Sequence, residues 1–332
     1  MPTIKEVAAI AGVSPATVSR VINGTANVDQ EKRRRVEEAI QLTGFQPNRL
    51  ARALFKKSLG LIGLILPDIE NPFFNELARV VEEEAFLNGL HVMLCSSGND
   101  TLKEMTNMRM LAQLHAEGII LVTNGHHTRP MIDACPLPVI VVDRHLIGCG
   151  EVAHIEADHY TGGRLAAQCL VDCGAKKLVC LRGPQEYTSG ELRFKGYQDV
   201  CRENGLEERY IDTRYNFSAG IRAAEEMLRR YPDVDGVVAA NDMVAISTYK
   251  VLRNRGIRVP EDVQLVGFDD INITSLISPE LTTVYQPIGE MGRKAVEIIR
   301  KHSAGEPFQE DNVFDVHLVE RETTRKRKSR EA

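Results

Sequence analysis

The sequence predicts a small all-α head followed by a larger α/β body of two doubly wound, parallel-sheet lobes. Three observations carry this expectation. Residues 3–43 read as short apolar helical stripes separated by glycine stops. From Leu61 onward, short apolar runs alternate with amphipathic segments, the pattern of parallel strands covered by helices on both faces. The charge is also divided. Residues 1–58 hold ten Lys/Arg against five Asp/Glu, a formal +5 in a chain whose net charge is −5, so the body carries −10. A basic head on an acidic body points to a polyanion partner for the head alone.

In the head, Ile4, Val7, Ala8 and Ala11 fall on one helical face, and Gly12 supplies the left-handed residue that ends a helix. Ser14 suits an N-cap and Pro15 a first helical position. Val18, Val21 and Ile22 then face inward, leaving Ala16, Thr17, Ser19, Arg20 and Asn23 outside. Small and polar groups on the first turns of a second helix are what a helix-turn-helix presents to the major groove. Two helices of an unspecialised bundle would share the spacing but not require the basic charge. Asp29 predicts the cap of a third helix over 30–43, with Val36, Ala39 and Ile40 as its stripe and Gly44 as its end. Lys32 to Arg35 lie near its start, against the helix dipole. A bound phosphate or a solvated face would each relieve them. After a break at 45–48, Arg49 to Lys57 is basic and helix-prone, yet too short to be stable alone in water.

Composition bounds the function. With 332 residues, 43% hydrophobic and 26% charged, the chain reads as a soluble globular protein of two or three domains. No apolar run reaches the length of a membrane span, and Lys5 and Glu6 interrupt any signal-like stretch. Seven scattered cysteines with no C-x-x-C pair fit reduced thiols in a cytoplasm. Adjacent His126 and His127 suit no helical metal pair, and no second pair completes Cys169 and Cys173, so no metal is expected. Thr161-Gly162-Gly163 lacks the spacing of a dinucleotide fingerprint, and there is no phosphate loop and no nucleophile elbow. No cofactor and no enzymatic activity are expected. Arg325 to Lys328 reads as a solvated basic tail, with DNA contact as the minority alternative.

In the body, strands are predicted at 61–66, 91–96, 118–122 and 139–143, then at 178–182, 211–214, 236–240, 264–268 and 283–285. The two series meet near residue 158. Ligands of such folds bind beyond the carboxyl ends of the strands. Asn71, Phe73, Phe74, Asp143 and Arg144 follow strands of the first series. In the second series, Asn241, Asp269 and Gln286 follow strands, Arg193 lies early in a helix and Phe217 precedes one. Planar side-chain forks beside aromatic faces suit a sugar, whose hydroxyls need donors and acceptors in pairs and whose C–H faces stack on rings. Each residue taken singly could equally be a helix cap, a turn or a surface ion pair.

The residues T-I-K-E-V-A-A-I-A-G-V-S-P-A-T-V-S-R-V-I-N-G resemble the N-terminal signature of the lactose/galactose repressor family of bacterial transcription regulators. G-F-Q-P-N-R-L-A-R-A-L, L-P-D-I-E-N-P-F-F, V-V-D-R, A-A-N-D-M-V-A and V-G-F-D-D extend the resemblance along nearly the whole chain. It implies a helix-turn-helix domain over 1–46, a hinge helix and linker over 47–59, and an effector-binding and dimerisation domain over 60–332. That domain would be similar to periplasmic sugar-binding proteins, its first lobe about 60–158 plus a C-terminal return and its second about 159–288. The resemblance also implies a homodimer on a near-palindromic operator in double-stranded DNA. Ala16, Thr17 and Arg20 would read bases, Thr3 and Asn23 would contact the backbone, and Ser14 would lie on the DNA side. Asn48, Ala51 and Leu54 would belong to a hinge helix that folds on DNA, with Leu54 wedged into the minor groove.

Within the family the pocket residues most resemble those of ribose repressors. Asn71, Phe73 and Phe74 would contact the sugar from the first lobe, with Asp143-Arg144 as a paired fork. Arg193, Asn241 and Phe217 would do so from the second, with Asp269 and Gln286 at the hinge side. The resemblance therefore implies a repressor released by a small sugar, ribose foremost. Another sugar, a purine corepressor or a phosphoprotein partner are the alternatives within the family. A transport receptor would lack the head, and an enzyme would need catalytic groups. The absence of Leu over 323–332 predicts a dimer rather than a heptad-joined tetramer.

Overall fold

The computed structural model describes residues 2–23, 28–45, 59–123, 128–146 and 152–326. They fall into two units, one up to Leu59 and one from Gly60.

The first unit contains helices α1 (Ile4–Ala11), α2 (Pro15–Asn23) and α3 (Gln30–Thr43). A capping box starts α1: Thr3 Oγ1 accepts from Glu6 N–H, and Glu6 accepts from Thr3 N–H at 2.8 Å. Gly12 closes it at φ +62°. Ser14 Oγ accepts from Thr17 N–H at 3.2 Å to start α2, and Asp29 accepts from Glu31 and Lys32 N–H to start α3. Val7, Ala8, Ala11, Val18, Val36 and Ala39 form the core. In the basic run of α3, Arg34 pairs with Glu31 and Glu38, both at 2.8 Å, so part of its charge is answered within the helix. The expected hinge residues Asn48, Ala51 and Leu54 lie outside the described residues.

The second unit is built on two sheets. The first holds β1 (Leu61–Leu66), β2 (His91–Ser96), β3 (Gly118–Leu121), β4 (Val139–Val142), β5 (Ala153–Ala157) and β11 (Asp311–Phe314). Their order is β11-β5-β4-β3-β1-β2, all parallel. Its helices are α4 (Pro72–Leu87), α5 (Thr101–Gln113) and the short α6 (Arg129–Asp133). The second sheet holds β6 (Leu178–Arg182), β7 (Tyr210–Asp212), β8 (Gly236–Ala239), β9 (Gln264–Asp269), β10 (Thr282–Tyr285) and β12 (His317–Val319). Their order is β12-β10-β9-β8-β6-β7, and β12 alone runs antiparallel, against β10. Helices α7 (His159–Asp172), α8 (Thr188–Glu203), α9 (Phe217–Arg230) and α10 (Asp242–Asn254) accompany it. Helix α11 (Ile288–Ala304) joins the core of the first lobe through Ile288, Met291, Ala295, Val296 and Ile299.

The strand expectations hold to within a residue or two, and β1 to the residue. Two further elements are present in this lobe: α6, between β3 and β4, and β5, between β4 and residue 158. The C-terminal segment returns to both sheets, through β11 to the first and β12 to the second. The chain therefore crosses between lobes three times: after β5, after β10 and after β11. Asp158 N–H donates to the Phe314 carbonyl at 2.9 Å, tying two of the crossings together. No described helix is long and apolar enough to cross a membrane.

Helices α7 and α8 cross at backbone contact. A Cβ at Gly163 would strike the Arg193 carbonyl, and one at Gly196 the Tyr160 carbonyl. We expect Gly163→Ala to lower stability by about 2 kcal/mol, because the clash with main chain exceeds the gain in helix propensity. The urea midpoint of the full chain measures this, and an unchanged or higher midpoint would contradict the close crossing.

Candidate functional site

The carboxyl ends of strands from both sheets meet at one cleft. Asn71, Phe73 and Phe74 line it from the start of α4, and Asp143 and Arg144 from the end of β4. From the second lobe come Ser189 and Arg193 of α8, Tyr215 after β7, Asn241 after β8 and Asp269 at the end of β9. The side chains leave only a small, partly open space between the lobes.

The two asparagines are helix caps and cleft residues at once. Asn71 Oδ1 accepts from Phe73 N–H at 3.1 Å, and Asn241 Oδ1 from Val244 N–H at 3.0 Å. Each cap fixes its amide at the head of a helix and so orients the nitrogen. Phe73 and Phe74 pack edge to face, 5.2 Å between centroids. Both cleft aspartates leave their strands at positive φ, +70° at Asp143 and +121° at Asp269. That backbone costs an L-residue about 1–3 kcal/mol and is a common device of binding sites.

Each lobe contributes one largely buried Asp–Arg pair. Arg144 Nε lies 3.7 Å from Asp143 Oδ2, and Arg193 Nη1 lies 3.7 Å from Asp269 Oδ1. At that distance the charges compensate without a direct hydrogen bond. The groups that aim the arginines are elsewhere. Arg144 donates to the Thr123 carbonyl at 2.9 Å and lies 4.0 Å over the Tyr187 ring. Arg193 donates to the Ala240 carbonyl at 2.8 Å and stacks 3.6 Å over Phe268.

His159, fully buried, completes the set. Its Nε2 is 3.1 Å from the Asp143 carbonyl, and its Nδ1 accepts from Arg193 Nε at 3.3 Å. Only the neutral ring with hydrogen on Nε2 serves both contacts. Burial, reinforced by the Arg193 charge, holds the ring's pKa well below its ordinary value. Burial raises Asp143, against the opposing pull of Arg144 and Arg193. It raises Asp269 to about 7, with Arg193 and the Gln286 hydrogen bond pulling down and Asp143 pushing up. Beneath them Asp242, also raised by burial, accepts from Thr283 Oγ1 at 2.6 Å and Ile271 N–H at 3.0 Å.

Two of the expected ligand residues sit elsewhere. Gln286 stands behind the cleft, its Nε2 donating to Asp269 Oδ1 at 2.6 Å. Phe217 is the first residue of α9, half-buried, with Lys250 Nζ 5.2 Å from its ring. It misses the lining because β7 ends at Asp212 and Asn216 caps α9, which hands the cleft position to Tyr215. Ser189, Tyr215 and His159 were not anticipated from the sequence. Apolar periodicity marks none of them, and only the packing of α7 against α8 brings His159 to Arg193.

In the head, Ala16 and Arg20 are exposed on α2 and Thr17 is half-buried, its hydroxyl 3.0 Å from Ser14 Oγ. Thr3 and Ser14, expected on the DNA side, are both engaged as helix caps. Asn23 is the last residue of α2.

Comparison with known proteins agrees with this arrangement. Residues 3–48 match the model of bacterial regulatory proteins of the lacI family, and residues 167–324 match the periplasmic binding protein-like domain. The ribose operon repressor of Bacillus subtilis is 36% identical over 98% of this chain and 99% of its own. The chain belongs to the lacI family of bacterial regulatory proteins. It is accordingly a sugar-responsive transcriptional repressor and not an enzyme. The lac repressor dimer bound to operator and an anti-inducer superposes with a TM-score of 0.89 at 26% identity, covering 98% of this chain and 99% of that one. A lacI-family regulator from Enterococcus faecium with bound ribose superposes with a TM-score of 0.73 at 25% identity, over 81% and 100%.

The raised Asp269 pKa makes stability depend on pH. Between about pH 4, where a free aspartate ionises, and about pH 7, the folded chain keeps a proton that the unfolded chain releases. This group therefore disfavours the folded state increasingly as pH rises. His159 acts in the opposite sense, favouring unfolding as pH falls below its ordinary range. The difference between wild type and Asp269→Asn isolates the first effect. Urea midpoints should shift in favour of the variant between pH 5 and pH 8; a pH-independent difference would refute the assignment.

Proposed function

We propose that this repressor binds a near-palindromic operator as a homodimer and that ribose, seated in the cleft, releases it. What supports a compact sugar is one observation above all. The cleft is lined by two Asp–Arg pairs, one from each lobe, whose members stand too far apart for a direct hydrogen bond, so charged acceptors and donors face the small space a ligand's hydroxyls would fill. The amides of Asn71 and Asn241 add donors at fixed positions, and Phe73, Phe74 and Tyr215 supply ring faces and edges. The size of the cleft favours a single sugar ring over a disaccharide. The names of full-length relatives and the ribose-bound relative point the same way.

On this reading Asn71, Phe73, Phe74, Asp143, Arg144, Arg193, Asn241 and Asp269 touch the sugar. Gln286 sets the position of Asp269, and Phe217 has no direct part. On the DNA side, Ala16, Thr17 and Arg20 face the bases, and Asn23, Thr3 and Ser14 lie along the backbone. Asn48, Ala51 and Leu54 form the hinge contact. Coupling of this kind between two sites is typically about 1–3 kcal/mol, or roughly 5- to 150-fold in affinity.

The decisive measurement titrates ribose against a labelled operator that the full chain has selected from a random pool. Affinity should fall within that range, whereas unchanged or tighter binding would refute release by ribose. Calorimetry with pentoses, hexoses and purines should show the strongest heat with ribose, and a preference for a hexose or purine would reassign the ligand. Variants separate the two ends. Arg193→Ala should still bind operator but no longer respond to ribose. Leu54→Ala should weaken specific operator binding by about tenfold or more and leave ribose binding intact. Loss of ribose binding in Leu54→Ala would overturn the division of labour.

A further inference from the structure

A second constellation lies outside the cleft, at the β5–β11 edge of the first sheet. His145 follows the Asp143-Arg144 pair, His154 lies on β5, and Asp311 opens β11. In the parallel register Asp311 stands directly beside His154. One nitrogen from each histidine and one Asp311 oxygen lie within 4.8 Å of one another. The two imidazoles stack, 4.2 Å between centroids and 25° apart. His154 Nδ1 is 3.5 Å from Asp311 Oδ1, and His145 Nδ1 is 3.4 Å from Glu156 Oε1.

Two features separate this cluster from a surface ion pair. The His154 side chain is only 8% exposed, and its Nε2 has no hydrogen-bond partner among the described residues. Glu156, two residues along β5 and therefore on the same face, is largely buried with Oε2 likewise unpartnered. Asp311, 70% exposed, opens the cluster to solvent.

We propose that His145, His154 and Asp311 bind one divalent ion of the zinc class, with Glu156 completing or orienting the set. Mixed imidazole and carboxylate donors suit zinc and its borderline neighbours better than calcium or magnesium, which prefer all-oxygen shells. The ion would pin more than a sheet edge. His145 N–H donates to Thr188 Oγ1 at 2.9 Å, at the start of α8 in the second lobe. A ligated His145 therefore fixes the segment that carries Asp143 and Arg144 to the lobe that carries Arg193.

The test uses the tag-free full chain, stripped with chelator and titrated with Zn²⁺ against a chromophoric indicator and with Co²⁺ by absorption. One equivalent should bind. The Co²⁺ spectrum should show visible ligand-field bands without an intense near-ultraviolet thiolate band. His145→Gln and Asp311→Asn should each weaken binding by about 10- to 100-fold or more, with unchanged circular dichroism. His154→Ala should abolish binding, and the two exposed-side variants keep the test valid if that one does not fold. Absence of a stoichiometric site, equal affinity in the variants, or a thiolate band placing the ion on cysteine would each overturn the proposal.

Discussion

Arg193 is the group on which the cleft depends. A guanidinium cannot shed its proton, so once buried it must be held by acceptors and aromatic faces. The chain supplies a carbonyl at Ala240, a ring at Phe268, a lone pair on His159 and a carboxylate at Asp269. Those contacts tie α8 to α7, β8 and β9 at once. They also explain why α7 and α8 cross with glycine at the contact, since the Arg193 carbonyl is the atom that Gly163 makes room for. The same histidine that receives Arg193 donates to the Asp143 carbonyl of the other lobe. One imidazole in one protonation state thus spans both sides of the cleft.

Electrostatics and backbone work together here. Asp143 and Asp269 end their strands in a conformation that L-residues avoid, and both carboxyls are raised by burial. Neither cost is relieved within the free protein by a short hydrogen bond from an arginine. A ligand rich in hydroxyls would supply those bonds, which is where its binding energy would come from.

Much of this was legible in the sequence. Continuous apolar runs such as Leu61 to Leu66 announce buried parallel strands because both faces are covered. Helix caps at Ser14, Asp29 and Asn71 announce themselves by residue type. The cleft residues were legible because ligands gather beyond the ends of such strands, so position carried information that residue type alone did not. What escaped has physical reasons. Strand β5 reads Ala-His-Ile-Glu-Ala, with polar residues on one face, and looks unlike its neighbours. Tyr215 lies in a loop whose path is set by the Asn216 cap, which displaces Phe217 from the position sequence order suggests. His159 and the His145–His154–Asp311 cluster are assembled by helix packing and strand pairing across long separations, and no local pattern encodes them.

The triple crossing between the lobes has a practical corollary. Because β11 and β12 are the last strands added, the edge of each sheet is completed by the final described stretch of chain. Neither lobe is a contiguous segment, so neither can be excised by a single cut. Truncation after α11 would strip an edge from both sheets together. The body is thus indivisible as a genetic module even though it is two-lobed as an object. Insertions that split it belong in surface loops, never at the visual boundary between the lobes.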